Sequence, residues 1–302
     1  MTERHRLHGE LWRRALMWGS VTLPQPAKVA TMPLWAAIPF VLVPRARRQI
    51  ACNLARVVGP ASGPVGAARA YRVLLSFAQS LANSYAAHGG RGVAVATDIL
   101  GEEGLRQAGT GGRGVIVATG HIGPWQLGPY LLERAGYGPV VIAMAREPDA
   151  AAQRYEEAAA LRGRFRVVHT DGPFASLELL RVLRRGGIVA VQMDRAPASR
   201  NGVGGANAGC LLAPFLGGAA PFPVGPAALA RAAGAPLVPV FLLAQGPSRV
   251  RVEIGEPIVV ARTGDRASDV AEATRRLAGS YEACVRAHPY QWYSFHDFWA
   301  AA

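Results

Sequence analysis

A lone titratable side chain at a break in an apolar run is a candidate for chemistry, and His121 is one. It follows Val115–Thr119 and Gly120 and precedes Ile122, Gly123, Pro124, Trp125 and Gln126. A β-favouring run, a glycine, a histidine and then a proline read as a strand handing over to a helix. A polar group there projects from the carboxyl edge of a sheet, where open α/β folds bind their ligands. A neutral imidazole at such an edge can take a proton from a hydroxyl and make it a nucleophile. Asp194 and Arg195 follow a second apolar strand, Gly187–Met193, and should emerge at the same edge. Arg146 follows a third, Val140–Met144, where a guanidinium suits an anionic group or an oxyanion. Gly123 and Gly225 permit close backbone approach. Gly225, Pro226 and Ala227 also read as the start of a helix whose free N–H groups could face an anion.

The surrounding elements alternate. Pro124–Arg134 reads as a helix kinked at Pro129, and Asp149 as the N-cap of a helix running to Leu161. Arg166–His169 reads as a strand, Phe174–Leu183 and Ala227–Ala233 as helices and Leu237–Leu243 as a strand. Val250–Ile254 with Pro257–Val260 reads as a short β pair, and Ser268–Ala287 as the closing helix. Continuous apolar strands alternating with helices predict an α/β fold with a mostly parallel central sheet flanked by helices. The aromatic tail from Gln291 to Trp299 reads as packing over the core. Gly202–Gly209 is glycine-rich but lacks the Lys-Ser/Thr of a phosphate loop; it reads as a mobile loop, a candidate lid.

The 302 residues fall into two parts, 1–60 and 61–302. In the first, Arg4, Arg6, Arg13 and Arg14 interleave with Leu7, Leu11, Trp12, Leu16 and Trp18. An apolar run, Met32–Pro44, follows, and then Arg45, Arg47 and Arg48. That run is too short, and too broken by Pro33, Pro39 and Pro44, to span about 30 Å of hydrocarbon. It reads as an N-terminal helical segment docking in a membrane interface. Mean hydropathy is +0.15. Lysine and arginine number 33 against 20 acidic residues, a net charge of +13, and Lys28 is the single lysine. Such a balance points to an anionic partner: phospholipid headgroups, a phosphorylated cofactor or nucleic acid. The basic residues are dispersed and no nucleic-acid motif accompanies them, which argues against nucleic acid. Cys52, Cys210 and Cys284 form no CxxC or Cys/His cluster, which argues against a disulfide framework and structural zinc. There is no G-x-S-x-G elbow, P-loop or dinucleotide fingerprint.

Taken in order, Gly120–Gly128, Gly187–Arg195, Phe215–Gly217, Val224–Ala230, Ala235–Phe241 and Pro289–Trp299 resemble the bacterial lipid A biosynthesis (lauroyl/myristoyl) acyltransferases, within the lysophospholipid acyltransferase superfamily. The resemblance begins near Arg47–Asn53 and covers most of the chain. It implies an acyltransferase-type αβα sandwich acting at the cytoplasmic face of the inner membrane, held there peripherally or monotopically. The reaction implied moves a fatty acyl group from acyl-carrier protein or coenzyme A to a hydroxyl or amine of a lipid or glycolipid, with no metal and no further cofactor. In that family the histidine of a His-x4-acid motif is the general base. His121 matches it, and Trp125 falls in the substrate-binding part of the motif. The acid does not match: position 126 is Gln, whose carbonyl oxygen could still hold the ring N–H of His121 and select its tautomer but offers no negative charge, so Gln126 or Asp194 is expected to orient the histidine. Loss of that charge can cost roughly 10⁴ in rate, judged from the equivalent change in a serine-protease triad. Three readings stay open: Asp194 supplies the carboxylate, the enzyme is slow or uses a more reactive acceptor, or the chain is a lipid-binding homologue that has lost catalysis.

Overall fold

The computed structural model describes residues 17–87, 95–137, 140–146, 150–162, 165–195 and 209–299. The basic residues before 17, the cap expected at Asp149 and the glycine-rich stretch 202–208 lie outside them.

After a helical stretch at residues 17–22 come three helices: α1 (Gln25–Leu42), α2 (Pro44–Val58) and α3 (Gly63–Ala86). They bury Ala36, Ile50, Leu54, Ala70, Val73 and Leu74 in one cluster that also takes in Tyr293 from the far end of the chain. Pro44 stands at the first turn of α2, where its missing N–H costs nothing, and the axis turns there by 98°. No single described helix is long and apolar enough to cross a membrane. Outward, this layer shows Trp18, Leu34, Val41 and Leu42, each about two-thirds exposed.

The rest is a seven-stranded sheet clad by helices. In chain order its strands and helices are β1 (Ala96–Leu100), α4 (Glu102–Gly109), β2 (Val115–Thr119), α5 (Gly128–Arg134), β3 (Val140–Met144), α6 (Ala150–Arg162), β4 (Arg166–His169), α7 (Ala175–Arg184) and β5 (Ile188–Gln192). A hairpin, β6 (Cys210–Phe215) with β7 (Gly218–Pro223), leads to α8 (Gly225–Ala233), β8 (Leu237–Ala244), β9 (Arg249–Ile254) and α9 (Arg266–Ala287). The order across the sheet is β1-β9-β8-β2-β5-β3-β4. From β8 to β4 the strands are parallel; β9 runs antiparallel to β8, and β1 pairs parallel with β9. The expected α/β sheet is therefore present. Its central strands are buried on both faces, as their unbroken apolar sequences require. One face packs on α7, α8, α9 and the hairpin, the other on α4 and α5.

Two details depart from the sequence expectations. Trp125–Leu127 is a 3₁₀ turn and the α-helix begins only at Gly128, so Pro129 occupies its first turn instead of kinking an interior. Pro257–Val260 does not pair with β9. Ile258 instead exchanges both hydrogen bonds with Leu237, because β9 is already taken up by β8 and β1.

Candidate active site

β2 and β5 lie side by side with Thr119 opposite Gln192, and the Met193 N–H donates to the Thr119 carbonyl. The sheet thus delivers residues 120 and 194 to one carboxyl edge, next to β8, where successive connections leave the sheet in opposite directions. Gly120 has to be glycine: a Cβ there would sit 2.4 Å from the Tyr281 ring. Gly123 has φ 55°, and its Cβ would collide with the Leu242 carbonyl. The loop can therefore press against β8 only with glycine at that position.

Asp194 wraps His121 from two sides. One carboxylate oxygen lies 2.9 Å from His121 Nδ1; the other accepts the His121 backbone N–H at 2.7 Å and the Tyr281 hydroxyl at 2.7 Å. Both side chains are buried. Burial pushes the Asp194 carboxyl up. The charge of His121 and the hydrogen bonds from its ring, its backbone N–H and Tyr281 outweigh that and hold the group at about 2. Burial, then the Asp194 charge, pushes the Tyr281 hydroxyl well above its ordinary value, so it stays a donor. An ionised Asp194 accepts a hydrogen bond from Nδ1–H of a neutral imidazole, the tautomer that leaves the Nε2 lone pair free to accept a proton.

Trp125 packs its ring 4.9 Å from that of His121 and also lines an apolar slot between the sheet and α4–α5. Thr119, Leu131, Tyr137, Val240 and Ile254 are among the other walls. The slot holds about 60 Å³, room for a few water-sized groups.

The chain's end closes the site. The Tyr293 N–H donates to the His121 carbonyl, Trp292 bridges Ile122, and the Gly123 N–H donates to the Gln291 carbonyl. The Gln291 side chain bonds both backbone groups of Ala244 at the end of β8. The Tyr293 hydroxyl meets Ser76 and Ser80 of α3. Buried Asn53 of α2 donates to the Ser294 and His296 carbonyls and to the Ser294 hydroxyl. His296 is exposed, and desolvation by the protein around it, followed by the charge of Arg195, lowers its pKa. This strap was not expected from sequence, because aromatic residues carry no local mark that separates a strap from a core. Tyr281 was missed for the same reason.

The other expected site residues stand apart from this cluster. Gln126 forms no side-chain hydrogen bond among the described residues, and its Oε1 is buried without a partner. Arg146 is exposed and lies 3.6 Å from Asp171. Arg195 is exposed beside Asp194. Gly225 opens α8 as expected, yet a Cβ there would meet nothing within 4 Å. Among the described residues no group of three or more His, Cys, Asp or Glu could hold a metal ion.

A family model described as bacterial lipid A biosynthesis acyltransferase matches residues 3–301. No curated protein matches the chain. Among solved structures, the 1-acyl-sn-glycerophosphate (LPA) acyltransferase PlsC from Thermotoga maritima is similar at 14% identity and a TM-score of 0.38, over 86% of this chain and 98% of that one.

Proposed function

The chain belongs to the bacterial lipid A biosynthesis acyltransferase family and is an acyltransferase acting on a lipid acceptor; from that premise we propose that His121, oriented by Asp194, is its general base. The observation that carries this reading is the 2.9 Å contact of Asp194 with His121 Nδ1. It places a carboxylate where Gln126 offers none.

In the proposed reaction His121 Nε2 accepts the proton of an acceptor hydroxyl or amine. The freed lone pair attacks the carbonyl carbon of an acyl thioester of carrier protein or coenzyme A. The tetrahedral oxyanion collapses, the C–S bond breaks, and the imidazolium returns its proton to the leaving thiolate. Asp194 stabilises the imidazolium while it lasts. Trp125 guides the acyl chain toward the apolar slot, which its neighbours must widen to admit it. Arg195 meets an anionic group of either substrate at the mouth of the site; Arg146, held to Asp171, serves farther along the same edge. Gly123 keeps the loop against β8, and the start of α8 at Gly225 faces the same edge. The exposed apolar face of α1 docks on an anionic membrane surface, at the cytoplasmic side of the inner membrane, so that the acceptor arrives from the bilayer.

Thiol release from acyl-carrier protein and acyl-coenzyme A, with bacterial lipid extract as acceptor, tests the reading. Release should require lipid and disappear in His121→Ala. Equal background from both proteins, with liposome binding intact, would favour the lipid-binding homologue instead.

A further inference from the structure

Two of the hydrogen bonds that Asp194 accepts come from His121 itself, so they bind the pair only to each other. The third comes from outside the pair, from the Tyr281 hydroxyl of α9 at 2.7 Å. Tyr281 is wholly buried, and the proton transfers proposed above make no use of it. A buried hydroxyl costs free energy unless it is hydrogen-bonded. Phenylalanine would fill the same space without that demand, so packing alone does not account for a tyrosine here.

The ring is held as firmly as the hydroxyl. It stacks on Phe215 of β6, with centroids 5.7 Å apart and planes 16° from parallel, and on Phe241 of β8 at 6.1 Å and 29°. Phe222 of β7 meets it edge-on at 81°. Such a set of faces and edges fixes where a ring can lie. The ring also lies against Gly120, the residue before His121, where no Cβ fits. One side chain of α9 therefore touches both the backbone that follows β2 and the carboxylate that follows β5.

Its chemistry is that of a fixed donor. Burial, then the Asp194 charge, keeps the phenol protonated, so it does not relay the proton, and its O–H dipole stays on the carboxylate. The charged and titratable groups around that carboxylate are His121 from the loop after β2, Arg195 next in sequence, Tyr281 with Cys284 on α9, and His296 and Asp297 from the strap. Among the described residues, only His121 and Tyr281 hydrogen-bond it.

We propose that Tyr281 is a positioning residue for acyl transfer: its ring seats the Gly120 backbone, and its hydroxyl holds Asp194 beside His121 Nδ1 while the imidazole takes up and gives back its proton. This rests on the catalytic reading of His121 and Asp194 above. A donor anchored in the core keeps the carboxylate aimed when the charge on the imidazole changes, which the two bonds from His121 cannot do for themselves.

The test is a double-mutant cycle of Tyr281→Phe and Asp194→Asn in the full chain. Phenylalanine keeps the ring and its stacking, and Asp194 keeps the His121 N–H, so the fold is spared. In Tyr281→Phe, kcat should fall about tenfold with KM within about twofold of the natural value. On the residual rate of Asp194→Asn the same change should cost less than about twofold, because the charge that the hydroxyl steadies is gone. Denaturant melts give a readout that needs no turnover. The Tyr281 hydroxyl is one of the groups holding the Asp194 carboxyl below its ordinary value. Without it that carboxyl is less depressed and stabilises the fold less above about pH 4, so the gap between natural protein and Tyr281→Phe should close as pH falls toward 2. In the Asp194→Asn background the gap should not change with pH. Unchanged kcat, equal losses in both backgrounds, or a stability gap that is the same at pH 5 and pH 2.5 overturns the proposal. A natural protein that releases no thiol in the presence of lipid refutes the catalytic reading instead; a gap that closes with acid would then still establish Tyr281 as the anchor of Asp194.

Discussion

Asp194 accepts three hydrogen bonds and His121 supplies two of them, so this one side chain fixes both the backbone and the ring of its neighbour. Asp194→Asn keeps the shape and removes the charge. By analogy with the same change beside a triad histidine, kcat should fall roughly 10³–10⁴-fold with KM little changed. Gln126→Glu should not raise the rate, because residue 126 has no hydrogen bond to His121 and a buried carboxylate there would be unpaired. A large gain in kcat for that variant would refute the assignment of Asp194. The same carboxylate predicts an acid response. Its folded pKa, about 2, lies below the ordinary 3.8, so the stability it contributes is complete above about pH 4 and is lost as pH falls toward 2. Denaturant melts between pH 5 and pH 2.5 should show a steeper acid loss for the natural protein than for Asp194→Asn.

At the scale of elements, the loop after β2 and the strap carry the geometry. Gly123→Ala forces a side chain into φ 55° and against the Leu242 carbonyl, so at least about 1–3 kcal/mol should be lost in thermal or chemical melts. Asn53→Ala leaves the Ser294 and His296 carbonyls short of a donor and should lose about 1–3 kcal/mol. The strands were legible in sequence because Val115–Thr119, Val140–Met144, Ile188–Gln192 and Leu237–Ala244 are apolar on both faces. Their ends located His121, Asp194, Arg146 and Arg195 without any knowledge of pairing. β1 was not legible: Ala96–Leu100 is half exposed and contains Asp98, so no period marks it. Nor does spacing say which strands become neighbours. That β5 inserts between β2 and β3, and so brings Asp194 onto His121, is a property of the sheet order alone. The strap was hidden for a related reason, since its contacts reach residues far away in the chain.

At the scale of the whole molecule, the helical layer, the sheet edge and the strap form one stack, with an apolar outer surface on α1. Leu34, Val41 and Leu42 touch solvent, so changing all three to Ser should leave the melting temperature within a few degrees. Vesicle co-sedimentation should weaken tenfold or more, since each side chain contributes up to about 1.5–3 kcal/mol when fully buried. Unchanged vesicle binding would move the docking face elsewhere. The strap also bears on how the fold comes together. Tyr281 bonds Asp194 across 87 residues, and Tyr293, farther still along the chain, bonds the His121 carbonyl. Contacts of such sequence separation carry a loop-closure cost before they return any stability, and they form slowly. The surroundings of His121 are therefore a property of the assembled fold, and pairing β2 with β5 alone does not create them.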